Sequence, residues 1–208
     1  MPAGEGWFVL NARDARWNYR PERRSVTFTG STDFEAETYF PQLGVNLAVL
    51  QPGQTNSMYH WETETEAFLM LSGEALLVIE GQERPLRQWD FVHCPPQTNH
   101  VIVGAGDGPC VILSMSSREF QADGPWGWYT ANEVARRHGA SPEEDTQEAD
   151  IAYASVPESA GYPVSRSSGA VFAVCVLGAG QPSQQLGELL ELLDAEAPVE
   201  EGLDFGKV

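Results

Sequence analysis

The sequence predicts an all-β fold, an antiparallel barrel or sandwich, and three observations carry that expectation. Between residues 44 and 115 short apolar or alternating stretches recur, each bounded by turn-forming Gly, Pro, Asn or Asp. They follow one another directly, without the strand and helix alternation that marks a parallel sheet. At 208 residues with no internal repeat, the chain suits one domain that buries about 70% of its unfolded surface, plus appendages.

Taken in order, residues 7–10 read as a first strand and residues 25–29 as a second, ended by Gly30 and Ser31. Residues 44–50 form the next, closed by a turn at Pro52 and Gly53. Six more follow at 57–62, 66–71, 75–80, 83–87, 91–94 and 100–103, and 110–115 is the last strand of the barrel. Gly81 between the third and fourth of these six predicts a tight hairpin, since glycine accepts positive φ without steric cost. The glycine-rich segment 104–109 reads as a loop between strands, because no helix and no Lys-Ser or Lys-Thr follows it to make a phosphate cradle.

Past Arg118 the pattern changes. The aromatic cluster 125–129 is expected as a lid on the end of the barrel. Residues 130–138 predict a short helix, with Thr130 as cap, Glu133 three positions on and Gly139 as the stop. His138 falls in its last turn, where it complements the helix dipole. Farther on, 170–177 reads as a strand, and Leu186, Leu189, Leu190 and Leu193 mark one face of a helix over about 183–195.

The net charge of −18 argues against nucleic acid or an anionic membrane as partner, because such surfaces attract basic patches. Most of the acidity is local: residues 141–208 carry −11 of it. Cys94, Cys110 and Cys175 are an odd number at no metal-binding spacing, which suits a reducing, cytoplasmic setting. No charged start followed by an apolar run suggests a leader, and the longest apolar run, 170–177, is too short to span a bilayer.

Potential metal ligands are concentrated between residues 53 and 100. His60 and Glu62 sit two apart, so one face of a strand carries both while Tyr59 and Trp61 face away. A turn over 63–65 would bring Glu66 back beside them, and His100 heads a later apolar strand. Met58, Phe68, Met70 and Ile102 share their phase and would surround them with apolar side chains. Imidazole and carboxylate in an apolar framework suit one divalent transition metal, Fe, Mn, Ni or Zn. Two arrangements satisfy the residue types. Either His60, Glu62, Glu66 and His100 are four ligands, or His60, Glu66 and His100 are three and Glu62 is a catalytic base. His93 has no role in either.

These residues resemble the two motifs of the cupins. The first motif reads here as Gly53, the triplet His60, Trp61, Glu62, then Glu66 and Gly73; the second reads as Trp89, Pro95, Pro96, Gln97 and His100. The departures are Glu62 in place of a second histidine, Trp89 and Gln97 in place of two glycines, and six rather than five residues between Gly53 and His60. The resemblance covers roughly residues 45–116 and implies a double-stranded β-helix, or jelly roll; with the local readings above, this gives a barrel over 1–125, a helix and acidic loop over 126–160 and, past a boundary near 160 rich in Pro, Ser and Gly, a C-terminal extension with a small helical appendage over 161–208. It implies a metal-dependent enzyme on a small organic molecule, of dioxygenase, isomerase, hydrolase or lyase type, and a homodimer paired through its leading strands. The other reading is a non-catalytic cupin that binds a small ligand as a sensor or storage module, with Glu62 marking a degraded metal site.

Overall fold

A computed structural model of the chain describes residues 3–4, 7–12, 15–18, 30–35, 40–119 and 124–154. The strands expected at 25–29 and 170–177, the helix expected near 183–195, and Cys175 lie outside the described residues.

The described strands are β1 (Ala3–Gly4), β2 (Trp7–Phe8), β3 (Arg16–Asn18), β4 (Gly30–Asp33), β5 (Leu43–Leu50), β6 (His60–Glu62) and β7 (Glu66–Ser72), followed by β8 (Glu74–Ile79), β9 (Gln82–Arg87), β10 (Phe91–Cys94), β11 (His100–Ala105), β12 (Cys110–Ser117) and β13 (Gly127–Tyr129). Two short helices close the described chain, α1 (Glu133–Arg136) and α2 (Ala149–Ala152). Strands β1 and β2 pair with each other, and the rest form two antiparallel sheets. One runs β10-β7-β12-β5-β4-β3 and the other β13-β6-β11-β8-β9. From β5 onward the chain passes repeatedly between the sheets, which is the double-stranded β-helix the motifs implied.

Alternation along the strands builds the core. Leu50, Phe68, Met70, Val92 and Ile112 from the first sheet meet Ala75, Leu77, Leu86 and Ile102 from the second, all buried in one cluster. Opposite residues of β8 and β11 face outward, where Val78 and Val101 pack with Tyr59, Ala135 and Ala140 of the segment around α1. The hairpin between β8 and β9 turns through Glu80 at φ 47° and Gly81 at φ 69°, the positive pair that a two-residue turn between twisted strands requires. Among the described residues no helix is long and apolar enough to cross a membrane.

Four local expectations need correction. Gly30 and Ser31 lie inside β4 rather than ending a strand. The strand expected over 57–62 begins only at His60, because the backbone before it is drawn to other partners: Met58 N–H donates to the Tyr153 hydroxyl and Tyr59 N–H to the Ala140 carbonyl. The aromatic segment is an edge strand and not a lid: β13 pairs with β6, placing Tyr129 against His60 and Gly127 against Glu62. Helix α1 is capped by Asn132, whose side chain accepts from the N–H groups of Val134 and Ala135. Thr130 instead donates its hydroxyl hydrogen to Asn99 Oδ1, at 2.6 Å. Gly139, at φ 66°, does end the helical segment, and His138 Nε2 lies 2.9 Å from a Glu83 carboxylate oxygen.

Both residues that replace motif glycines keep a glycine-like backbone. Trp89 stands at φ 73° and Gln97 at φ 66°. A left-handed conformation costs a side-chain-bearing residue about 1–2 kcal/mol, so the turns hold this geometry against local preference. Gln97 is exposed, and its N–H donates to the Glu62 carbonyl at 2.8 Å, tying the Pro95 turn to β6. Gln97→Gly should therefore gain up to about 1 kcal/mol, once the added freedom of the unfolded chain is subtracted, read as a rise in thermal midpoint. Gly73→Ala should do the reverse. Gly73 has φ 74°, and an added Cβ would lie 2.5 Å from the Pro109 carbonyl oxygen and 2.7 Å from Cys110 Cα. A loss of at least about 2 kcal/mol is expected in denaturant unfolding.

Candidate metal centre

The register of three strands assembles the site. His60 of β6 and His100 of β11 are directly paired and project from the inner face of the five-stranded sheet. Glu66, the first residue of β7, faces them from the other sheet. The bend after β6 reverses the chain at 63–65, as the sequence suggested, and returns Glu66 to its neighbours. His100 and His60 are buried, and the Glu66 side chain is 13% exposed.

Both imidazoles are oriented from behind. His60 Nδ1 lies 2.7 Å from the Met58 carbonyl oxygen, and His100 Nδ1 lies 2.9 Å from that of Thr98. A carbonyl only accepts, so in each ring Nδ1–H is the donor and Nε2 carries a lone pair when the ring is neutral. Ser57 supports the first arrangement, its hydroxyl donating to the same Met58 carbonyl at 3.0 Å. This backing is what a metal-binding histidine needs, because it fixes both tautomer and ring direction.

The front of the site is a cluster of acceptors. Nε2 of His60, Nε2 of His100 and a Glu66 carboxylate oxygen lie within 4.8 Å of one another. His100 Nε2 is 3.1 Å from Glu66 Oε2, yet both are buried without a hydrogen-bond partner when the ring is neutral. Two lone pairs at that distance repel unless a proton or a cation lies between them. With the proton, the contact becomes an ion pair. Burial alone would lower the His100 pKa, but the nearby Cys94 thiol and Glu66 carboxylate raise it well above the ordinary imidazole range. For Glu66, burial pushes upward, and the hydrogen bond and charge of His100, helped by His60, pull its carboxyl below the usual value. A divalent cation satisfies the same three acceptors together, and two imidazoles with one carboxylate form a donor set suited to Fe, Mn, Ni or Zn.

Glu62 stands at the margin. Its Oε1 lies 3.6 Å from His60 Nε2, while its side chain is 21% exposed and outside the group of mutually close ligand atoms. The structure thus brings together three of the four candidate ligands and leaves the fourth beside them. Cys94, paired across the sheet with Glu66, is buried. Cys110 is buried in the core, which pushes its thiol up to about 11 and leaves it unreactive at neutral pH. His93, on β10, is exposed.

Aromatic rings line the His60 side. Trp126 and Tyr129 have ring centres 5.9 Å and 6.0 Å from His60, and they meet each other edge to face at 4.8 Å. Phe68 packs on His100 at 5.4 Å. Of the apolar residues in phase with the ligands, Phe68, Met70 and Ile102 lie within the core, and Met58 is also fully buried. On the other side Glu66 borders a cavity of about 250 Å³ between β4, β5 and β12, with Asn46, Ser114 and Ser116 in its wall. Sequence reading missed these three. The signal was present, since each is a polar residue at an inward position of a strand whose other inward residues are Ala48 and Leu50 or Cys110 and Ile112.

Residues 46–116 match the family model described as a cupin domain. No curated protein matches the chain. Among solved structures, it is similar to a sugar phosphate isomerase from the cupin superfamily of Silicibacter pomeroyi, at 25% identity and TM-score 0.41 over 48% of this chain and 62% of that one. A protein provisionally assigned as a sugar phosphate isomerase from Acidithiobacillus ferrooxidans is 28% identical with TM-score 0.40, over 42% of this chain and 58% of that one. The polyketide cyclase RemF from Streptomyces resistomycificus is 14% identical with TM-score 0.47, over 54% and 80%. The chain spans about three fifths of the length of the two isomerase structures. The matched residues include the strands that bring Glu66 and His100 together across two sheets, so the candidate centre lies within the stretch that resembles a cupin domain.

Proposed function

We propose that this chain is a metal-dependent enzyme acting on a small organic molecule, with one divalent transition metal held by His60, Glu66 and His100. The observation that carries the reading is the buried cluster of three acceptors with no donor among them, its two imidazoles locked from behind by backbone carbonyls. A metal in that position supplies Lewis acidity toward a substrate oxygen. The protein's own residues do the remainder. Trp126, Tyr129 and Phe68 restrict water around the imidazoles, which strengthens electrostatic interactions there.

Glu62 is the proton-transfer group in this reading. Its carboxylate is close to the centre, partly open to solvent, and outside the mutually close ligand set. That arrangement favours the three-ligand version over the four-ligand one. A carboxylate poised to accept a proton places isomerase, hydrolase and lyase chemistry ahead of oxygenation, since each of those reactions moves a proton at the substrate. The non-catalytic alternative remains the outcome to expect if the chain binds no metal.

Four measurements test this proposal. His100→Ala should abolish stoichiometric metal while the two-sheet fold persists in circular dichroism; unchanged metal content would sink the ligand assignment. Glu62→Gln should keep its metal and lose turnover by about 10²–10⁴-fold once a substrate is known, whereas markedly weaker metal binding would make Glu62 a fourth ligand. Metal binding should also release about one proton per site near neutral pH, because the ion must displace the proton held between His100 and Glu66. The sign of the stability effect follows from the same pair. His100, with a raised pKa, stabilises the metal-free fold below about 6.5 and loses that contribution as pH rises through its folded value. Glu66, with a lowered pKa, contributes above about 4.3 and loses it as pH falls. Metal-free protein should therefore be most stable between those limits, and saturating metal should remove the alkaline loss.

A further inference from the structure

The cavity beside Glu66 has a chemistry of its own. Three inward positions in its wall carry small neutral polar side chains, Asn46 on β5 and Ser114 and Ser116 on β12. Ser116 is the direct cross-strand neighbour of Glu66, and Asn46 is that of Ser114. None of the three has a side-chain hydrogen bond to a described residue, although hydroxyl and amide groups in a recess ordinarily find partners. Together they present alternating donors and acceptors along one wall, ending at the carboxylate that faces the two histidines.

The charged residues of the wall are already committed. Among the described residues Arg118 is the one cationic side chain lining the cavity, and it grips Glu35 through both terminal nitrogens, at 2.6 Å and 2.9 Å. It also donates to the Phe40 carbonyl at 2.8 Å. This forked pairing uses the geometry that would otherwise recognise a phosphate or carboxylate. Capturing an anion there would strand the Glu35 carboxylate, whose side chain is only 16% exposed. The remaining charge on the wall is Glu66, which repels anions. At about 250 Å³, the space is below the ~300–1,000 Å³ of pockets for drug-sized ligands.

Gly44 keeps this space open. It lies opposite Ser116, and an added Cβ would sit 2.7 Å from Ser116 Oγ and 3.2 Å from Arg118 Nη2. Any larger residue there would project into the recess and against the Arg118 guanidinium.

Resting on the metal reading above, we propose that this cavity is the substrate pocket and that it takes a small, neutral, polyhydroxylated molecule rather than a phosphorylated one, with Asn46, Ser114 and Ser116 bonding its hydroxyl groups. The hydroxyls of such a molecule suit the half-buried amide and hydroxyl groups of the wall, each of which can both give and accept a hydrogen bond. Arg118, engaged with Glu35 and the Phe40 carbonyl, takes no part in recognition.

The test is a calorimetric titration of the full chain, its metal content first fixed by elemental analysis, with D-ribose and with ribose 5-phosphate as probes. Ribose should bind, and the phosphate ester should bind at least about tenfold more weakly. Asn46→Ala and Ser114→Ala should each weaken ribose by about fivefold, with metal content unchanged. Gly44→Val should abolish ribose binding; should that variant unfold, the two alanine variants decide the question alone. The proposal is overturned by equal or tighter binding of the phosphate ester, by the absence of ribose binding at any metal content, or by alanine variants that bind ribose normally. Trace metal with ribose binding that the alanine variants weaken would overturn the metal centre and leave the pocket standing, so the two readings fail separately.

Discussion

The 3.1 Å approach of His100 Nε2 to Glu66 Oε2 is the contact on which the rest of this structure turns. It joins the two sheets at a buried point where apolar packing would cost less, and it places two acceptors where only a shared proton or a cation makes the distance favourable. Its geometry is imposed from outside. Carbonyls of Met58 and Thr98 hold the imidazoles, the β6–β11 register sets them side by side, and the reversal at 63–65 delivers the carboxylate. A protein that gained only stability from these residues would have little reason to face three acceptors toward one another. The arrangement is intelligible as a site prepared for a positive charge.

Around that contact the barrel divides its interior by chemistry. Deep inside, Leu50, Met70, Leu77, Ile102 and Ile112 fill the space between the sheets and contribute the burial that stabilises the fold. Toward the ends of β5 and β12, the same inward positions change to Asn46, Ser114 and Ser116, and packing gives way to a polar recess. On the other flank Trp126 and Tyr129 approach His60 from an edge strand added after the barrel proper. The candidate centre lies where these three environments meet.

Much of this was legible in the sequence, for a reason that also explains what was not. The strands around 66–71, 75–80, 83–87 and 91–94 were readable because a half-buried strand writes its two faces into alternate residues, and the hairpin at Glu80 and Gly81 because positive φ favours glycine. His60, Glu66 and His100 were readable by parity and motif spacing. Features decided by a distant partner were not. Asn132 rather than Thr130 caps α1 because Thr130 is engaged with Asn99, and β6 starts late because Tyr153 and Ala140 claim the preceding N–H groups. The two substitutions for motif glycines depart in residue type alone, since Trp89 and Gln97 keep a glycine-like positive φ. Glu62 was left with two possible roles because spacing gives a face and not a distance. The structure gives the distance, 3.6 Å from Glu62 Oε1 to His60 Nε2, with Glu62 outside the group of mutually close candidate ligand atoms.

The central claim is that the buried acceptors hold a metal, and elemental analysis of purified, untagged protein addresses it most directly. About one equivalent of a divalent transition metal per chain is expected, retained through buffer exchange. Only trace metal, persisting after incubation with Fe(II), Mn, Ni and Zn in turn, would contradict the account and leave His100 and Glu66 as a proton-sharing pair within a non-catalytic barrel.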